Sequence, residues 1–416
     1  VNAPTVRAAV VVTGDEVLGG RVLEKNAAFI ARQLAERGVT LERTVIVSDT
    51  RATIARTITE LIADGIRLLC VTGGLGPTYD DLTMQAVADA TGRDLALDPA
   101  ALEMVRERSR GVRRQMHITE SELEAMRRKQ ATLPAGADVL TPVGTAPGCV
   151  LVHGLCVIVV LPGPPAESQP MWDQALAEPA VANLLGSVTA TPQRIVRTWG
   201  VVESELMTAL NTLPQDALAR IGTYTRSGEL EIVSPAELAD EVTAVLEAHF
   251  PGSVFAHDGE QVEAMVASLL GANAERLAVA ESCTGGGLGA RLTSLPGASS
   301  WFDGGVIAYS NAVKESLLGV SSAILERYGA VSIECAAAMA DGVRVATGAQ
   351  WGVSITGVAG PGGGTDDKPV GTVCIGIAGP TTTATGTRFW GRDRESIRLR
   401  AQTAALHHLR WALQHR

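Results

Sequence analysis

The sequence predicts an α/β protein of more than one domain, on three observations. Apolar runs of strand length alternate with helical stretches at both ends of the chain, and several of those runs end in glycine-rich loops. Aromatic residues make up only 4% of the 416 residues, while glycine alone supplies 44. Alternation of this kind builds a parallel sheet covered by helices, and small residues favour close-packed layers over aromatic-rich sandwiches. The length exceeds what one core usually organises.

The first segment reads as a strand from Ala8 to Val12, then the loop Thr13-Gly14-Asp15-Glu16-Val17-Leu18-Gly19-Gly20 and a helix from Asn26 to Arg37. A strand from Thr40 to Val47, a helix from Arg51 to Ala63 and a strand from Arg67 to Thr72 follow. This βαβαβ order implies a parallel sheet with helices on both faces, so loops that leave strand ends share one rim. The third strand runs into Gly73-Gly74-Leu75-Gly76-Pro77-Thr78-Tyr79-Asp80-Asp81-Leu82-Thr83. Glycines alone make turns, and an aspartate there could simply cap the next helix. Together, glycines whose N–H groups meet phosphate oxygens and adjacent carboxylates that hold a hard cation suit a polyphosphate or nucleotide-like ligand.

These two loops, with Lys129-Gln130-Ala131, Gly144-Thr145-Ala146-Pro147-Gly148 and Leu161-Pro162-Gly163-Pro164-Pro165-Ala166-Glu167, resemble the molybdopterin-binding-like domain of the CinA family. The resemblance implies a three-layer domain over residues 1–168 with ADP-ribose pyrophosphatase activity and a divalent metal ion of the Mg or Co type. It places Asp15, Glu16, Asp80 and Asp81 on the metal, and Gly73, Gly74, Gly76, Thr78, Asn26 and Lys129 on the substrate. Two positions depart from the family pattern. Glu24-Lys25-Asn26 stands where Asn-Thr-Asn is common, and Ser168 where methionine is usual.

Between these motifs, Leu97 to Lys129 is a charged helical stretch in which Arg106, Arg108, Arg113, Arg114, Arg127 and Arg128 are interleaved with glutamates, the pattern of a solvated face. After Pro165 the texture changes. A helical stretch from Gln169 to Leu185, a strand from Arg194 to Trp199, a helix from Glu203 to Leu213, strands Arg220 to Thr225 and Glu229 to Val233 and a helix from Ala236 to Phe250 read as a small α/β module over 169–256. It resembles the KH-like middle domain of full-length CinA proteins, but it carries no G-x-x-G loop clamped by basic residues, so no nucleic-acid partner is expected of it.

The last domain, 257–416, opens on a helix from Gln261 to Leu270 and the apolar run Leu277 to Ala280, which stops at Glu281-Ser282-Cys283-Thr284-Gly285-Gly286-Gly287. A serine before a glycine-rich helix start is commonly an N-cap; as a nucleophile it needs a proton acceptor and donors for an oxyanion. Two further strands end in loops, Gly305 to Tyr309 before Ser310-Asn311-Ala312-Val313-Lys314, and Gly352 to Ile355 before Thr356-Gly357-Val358-Ala359-Gly360-Pro361-Gly362-Gly363-Gly364. Strands Gly371 to Ile377 and Thr385 to Trp390 and a helix from Arg394, capped by Asp393 and with an inward stripe Ile397, Ala401, Ala405, Leu409 and Ala412, complete the chain. Lys314 is the candidate base if desolvation or a cation such as Arg398 lowers its pKa.

These motifs, with Gly391-Arg392-Asp393-Arg394-Glu395-Ser396-Ile397-Arg398, resemble the CinA C-terminal domain, which also occurs alone as nicotinamide mononucleotide deamidase. By that likeness Ser282 is the nucleophile, Lys314 the base and Tyr309 a group orienting them, while Thr284 and Gly285 hold the oxyanion. Thr356, Gly362, Gly363, Arg398 and Ser299 contact the substrate, and this step needs no metal. The expected whole is a bifunctional hydrolase of nicotinamide mononucleotide and ADP-ribose. The alternatives are an adaptor in DNA uptake or recombination with vestigial sites, and a molybdopterin-type ligand binder.

Bulk properties bound these readings. The net charge of -10 offers no global field for nucleic acid or an anionic membrane. The six cysteines are scattered without a C-x-x-C, which suits reduced thiols in a cytoplasm. No apolar run reaches the length of a membrane span. A mean hydropathy of +0.17 leads us to expect a homodimer.

Overall fold

The computed structural model describes residues 6–110, 119–188, 192–389 and 393–415. The chain divides into two compact units, Val1–Pro192 and Gln193–Arg416. Arg113 and Arg114 of the charged stretch, and Trp390, Gly391 and Arg392 near the chain's end, lie outside the described residues.

The first unit is built on strands β1 (Ala8–Thr13), β2 (Leu41–Val47), β3 (Leu68–Thr72), β4 (Leu95–Leu97), β5 (Thr132–Pro134), β6 (Asp138–Leu140), β7 (Gly148–His153) and β8 (Cys156–Leu161). Its main sheet has the order β2-β1-β3-β8-β7-β6. The first four are parallel neighbours, but β7 and β6 run antiparallel, so the sheet is mixed and not purely parallel as the opening βαβαβ order implied. The reversal follows from the tight Gly154-Leu155 turn, where Gly154 has φ 58°. A connection that short joins only antiparallel strands.

β1 and β3 are buried along their whole length, which requires cover on both faces. Ile54, Ile58, Met84, Val87, Leu102 and Val105 close one face. Ile30, Leu34, Met171, Trp172 and Val181 close the other, giving three layers. The helices Pro165–Ala177 and Pro179–Gly186 supply part of that second face, so the change of texture after Pro165 falls inside the first unit. The charged stretch forms two helices, Pro99–Arg108 and Glu120–Gln130.

The second unit holds two sheets. Strands β9 (Gln193–Trp199), β10 (Gly222–Arg226), β11 (Glu229–Pro235) and β12 (Val254–Ala256) make an antiparallel sheet in the order β10-β11-β9-β12. Helices Glu203–Leu210 and Ala236–His249 pack on it through Leu206, Leu210, Val242 and Leu246. Strands β13 (Leu277–Glu281), β14 (Phe302–Ile307), β15 (Trp351–Gly357), β16 (Thr372–Ala378) and β17 (Thr382–Arg388) make the second sheet, ordered β14-β13-β15-β16-β17. Its first three strands are parallel and its last two antiparallel.

The final helix, Arg394–Gln414, buries Ile397, Ala401, Ala405 and Leu409 as its stripe predicts, and Asp393 caps it by accepting from the Ser396 N–H at 2.8 Å. No described helix is long and apolar enough to cross a membrane.

Candidate functional site

β13, β14 and β15 run parallel, so their carboxyl ends form one rim, and the loops that leave them carry Ser282, Lys314 and Thr356. Ser282 is fixed at both ends of its backbone. Its N–H donates to the Ile355 carbonyl at 2.9 Å, and its own carbonyl accepts from the Gly285 N–H at 3.1 Å. Gly285 and Gly286 take φ values of 60° and 91°, a conformation that only glycine adopts cheaply. The Glu281 carboxylate, itself buried, accepts from the N–H groups of Gly286, Leu288 and Gly289 at 3.1, 3.0 and 2.8 Å. Strand end, serine turn and helix start are thereby tied to one side chain.

Lys314 sits in the helix Asn311–Leu318, whose N-cap Ser310 accepts from the Val313 N–H at 3.3 Å. Only 1% of Lys314 is exposed. Its Nζ lies 3.3 Å from Ser282 Oγ, 2.7 Å from the Ala308 carbonyl and 3.4 Å from the Tyr309 carbonyl. Burial holds this amine below the ordinary lysine value, against the opposing pull of the Cys335 and Cys283 thiols. A neutral amine has two hydrogens and one lone pair. With the two carbonyls taking the hydrogens, the lone pair is left for the Ser282 hydroxyl. Arg398 does not contribute to the lowering; desolvation does the work expected of it.

Other expected residues fall in different roles. The Tyr309 ring does not orient the pair: its hydroxyl accepts from Arg394 Nη2 at 3.0 Å, and only its backbone carbonyl reaches Lys314. Gly285 is committed to the turn, and within residues 282–289 the other N–H groups meet carbonyls or the Glu281 carboxylate, which leaves those of Cys283 and Thr284 without a carbonyl or carboxylate acceptor. Thr356 is buried beside Ser282, and its hydroxyl donates to the Ala330 carbonyl at 2.7 Å, which leaves it only accepting capacity toward a ligand. Arg398 Nη2 donates to the Thr284 carbonyl at 2.5 Å. Gly362 and Gly363 lie on an exposed loop pinned at its base by Val358 N–H to Thr372 carbonyl and Gly371 N–H to Val358 carbonyl bonds, both 2.8 Å. Ser299 is elsewhere. It precedes β14 at the amino rim, where its carbonyl accepts from Arg276 at 3.3 Å, because β14 runs parallel to β13 and the loop that enters it lies opposite the loop that leaves.

Arg394 is the residue that sequence reasoning passed over. It donates to the Gly360 carbonyl at 2.7 Å and to Tyr309, so one guanidinium at the start of the final helix joins two of the three loops. Its place in the first turn of a capped helix, one turn before Arg398, was the available signal.

In the first unit the rim loops enclose a cavity of about 360 Å³ whose walls include Glu16, Asp49, Gly73, Gly74, Asp80 and Glu167. Gly73 and Gly74 have φ values of 103° and 62°, and a Cβ on Gly74 would overlap the Thr83 hydroxyl. The two aspartates do not cap the next helix, whose N-cap is Leu82 without a side-chain bond. Asp81 instead accepts from the Thr78 N–H at 2.8 Å and hydroxyl at 2.6 Å, and Asp80 also bonds that hydroxyl. Lys129 donates to the Thr78 carbonyl, so it braces the turn.

Asn26 is a buried clamp. It donates to the Gly163 carbonyl at 2.8 Å and accepts from the Ser168 hydroxyl at 2.9 Å, which gives the departure at 168 a physical role.

The expected metal set changes in the same way. Asp80 and Asp81 each give one oxygen to the Thr78 hydroxyl and both line the cavity, whereas Asp15 gives its backbone N–H to Asp49 at 2.9 Å. Asp49, two residues past β2, is the missed carboxylate; burial, then repulsion from Asp15, Glu16 and Asp80, raises its pKa, against the Asp15 N–H. Among the described residues no three His, Cys, Asp or Glu side chains gather to hold a metal ion by themselves. An ion of the Mg type takes one or two carboxylates and fills its shell with water and phosphate oxygens, a demand that one or two of Glu16, Asp49, Asp80 and Asp81, all on the cavity wall, can meet.

Two α/β units, the first of molybdopterin-binding-like layout and the second with a serine–lysine pair on a sheet rim, define the class. Residues 9–183 match the family described as "Probable molybdopterin binding domain", and residues 259–413 match "CinA C-terminal domain". A CinA-like protein from Mycolicibacterium vanbaalenii is 44% identical over 98% of this chain and 98% of its own, and one from Mycobacterium tuberculosis is 41% identical over 99% and 98%. The solved competence damage-inducible protein A of Klebsiella pneumoniae is 35% identical over 37% of this chain and 96% of its own, with a TM-score of 0.36. The chain belongs to the CinA-like protein family.

Proposed function

We propose that the chain is a bifunctional hydrolase: the second unit deamidates nicotinamide mononucleotide, and the first cleaves ADP-ribose to AMP and ribose 5-phosphate. The observation that carries the first activity is the buried Lys314 amine 3.3 Å from the Ser282 hydroxyl. Ser282 Oγ attacks the carboxamide carbon while its proton passes to Lys314, and the oxyanion meets the N–H groups of Cys283 and Thr284. As the C–N bond breaks, Lys314 returns that proton to the departing ammonia. Water then attacks the acyl-enzyme, gives its proton to Lys314, and the ester breaks to regenerate the serine and release nicotinate mononucleotide. Arg394 and Arg398 suit the phosphate of this substrate.

For ADP-ribose, the N–H groups of Gly74 to Gly76 would face a diphosphate, while that of Gly73 is held by the Leu161 carbonyl, and one or two of Glu16, Asp49, Asp80 and Asp81 would hold the divalent ion. That ion supplies charge neutralisation at the phosphate oxygens. Incubation with each nucleotide, with and without divalent cation, tests both halves. Metal-independent ammonia and metal-dependent AMP are expected; absence of both products would overturn the proposal.

A further inference from the structure

The glycine-loop cavity of the first unit adjoins a second one. This neighbour, of about 520 Å³, shares the walls Thr13, Glu16, Gly163 and Pro164 with it. Its remaining walls are of opposite character. Val12, Val17, Val22, Leu23 and Pro165 line it with apolar surface, whereas carboxylates, hydroxyls and glycine backbone line the glycine-loop cavity. Small-molecule sites occupy about 300–1,000 Å³ and are mostly apolar with a few polar groups, which fits this cavity.

The walls are preformed on one side and uncovered on the other. Val12 belongs to the buried β1, and Pro164 and Pro165 open the helix Pro165–Ala177 with a φ fixed by their rings. The Asn26 clamp holds the Gly163 carbonyl at 2.8 Å and the Ser168 hydroxyl at 2.9 Å beside them. Val22 and Leu23, on the loop before Asn26, are 50% and 81% exposed. One exposed leucine needs no explanation, but two adjacent apolar side chains on one cavity wall leave surface that a flat ring can cover.

The two ends of ADP-ribose differ in the same sense as the two cavities. Adenine is a flat ring, and the terminal ribose is a polyol. The walls that the glycine-loop cavity does not share include Gln130, Thr145 and Glu167. The Thr145 hydroxyl accepts from Gln130 Nε2 at 3.2 Å and keeps its own hydrogen to donate, and the Glu167 carboxylate bonds no other described side chain. Sugar hydroxyls suit such groups.

We propose, on the ADP-ribose reading of this unit, that the apolar cavity holds the adenine ring and so fixes the direction of the substrate. The base lies against Val17, Val22 and Leu23, the diphosphate at the glycine loop and the terminal ribose toward Thr145 and Glu167. The reverse direction sets ribose hydroxyls against valine and leucine, where they go unpaired. Glu24 and Lys25, where the chain departs from the family pattern, stand on the wall of this same cavity, so the departures fall beside the base.

Titration of the full chain with ADP-ribose, AMP and ribose 5-phosphate, without divalent cation, tests the proposal. Wild type is compared with the double variant Val22→Thr, Leu23→Asn, which keeps side-chain volume and makes the wall polar; both positions are exposed, so folding is not at stake. The double variant should weaken one class of sites for ADP-ribose and AMP by about tenfold or more and change ribose 5-phosphate less than twofold. In wild type, ribose 5-phosphate should bind that class at least tenfold more weakly than AMP. With divalent cation, KM for ADP-ribose should rise by the same factor while kcat stays within threefold. Binding that follows this pattern without AMP release overturns the hydrolase reading and supports the direction proposed. Unchanged ADP-ribose affinity in the double variant, whether or not its association state changes, or ribose 5-phosphate binding as tightly as AMP, overturns the inference.

Discussion

At the scale of single residues, the pair Ser282 and Lys314 carries the sharpest expectations. Replacing Ser282 by alanine removes the attacking oxygen, and ammonia release should fall by about three orders of magnitude or more if the pair acts as a unit. Lys314→Arg keeps a cation but offers no lone pair near neutral pH, and should fall as far. A single-turnover assay of ammonia checks both, and near-normal release from either variant removes the assignment. The lysine must be neutral to act, so kcat/KM should rise with pH along a limb that lies below the ordinary lysine value of 10.5, because burial lowers this group. A pH–rate profile whose limb sits at or above that value would show that the titrating base is another group.

At the scale of elements, the Ser282 turn depends on Glu281, whose carboxylate ties the end of β13 to the helix Gly287–Thr293 through three backbone N–H groups. Glu281→Gln keeps the shape but turns an N–H₂ toward donors. Ammonia release should drop by about tenfold or more and the melting temperature should fall, the cost of leaving buried N–H groups unpaired being about 1–3 kcal/mol. If Glu281→Gln matches wild type in both rate and melting, the turn is held by the glycines alone.

Much of this element-level order was legible. The glycine clusters mark where strands end, and the Asp393 cap and the stripe from Ile397 announce the final helix. What stayed hidden depends on direction and distance. A buried run such as Thr372 to Ala378 reads the same whether it pairs parallel or antiparallel, so the reversals in both main sheets do not register. Ser299 was placed on the substrate by family likeness alone, yet parallel pairing sends the loop that carries it to the far end. Asp49 and Arg394 carry no glycine signature, and only the fold brings them to their rims.

At the scale of the whole second unit, the final helix serves two neighbourhoods: Arg394 and Arg398 at its start meet the serine loop, and His407 near its end pins the four-stranded module through Glu229. His407 is fully buried, and that burial, opposed by the Glu229 hydrogen bond and reinforced by Arg410 and Arg291, lowers its pKa from 6.5 to about 4. Burial lowers the neighbouring His408 as well. A group whose pKa falls on folding binds more protons in the unfolded chain, so stability rises with pH across the gap. Well above pH 6.5 His407 is neutral in both states and contributes nothing to this dependence. As pH falls from 6.5 toward 4 the unfolded chain gains a proton that the folded one refuses, and about 3 kcal/mol is lost at the limit. His407→Gln retains an N–H for Glu229 without a titrating ring. Urea unfolding followed from pH 7 to 4 should therefore show a steeper loss for wild type than for the variant, by about one proton over the interval. Parallel slopes would place the acid sensitivity of this unit in other groups.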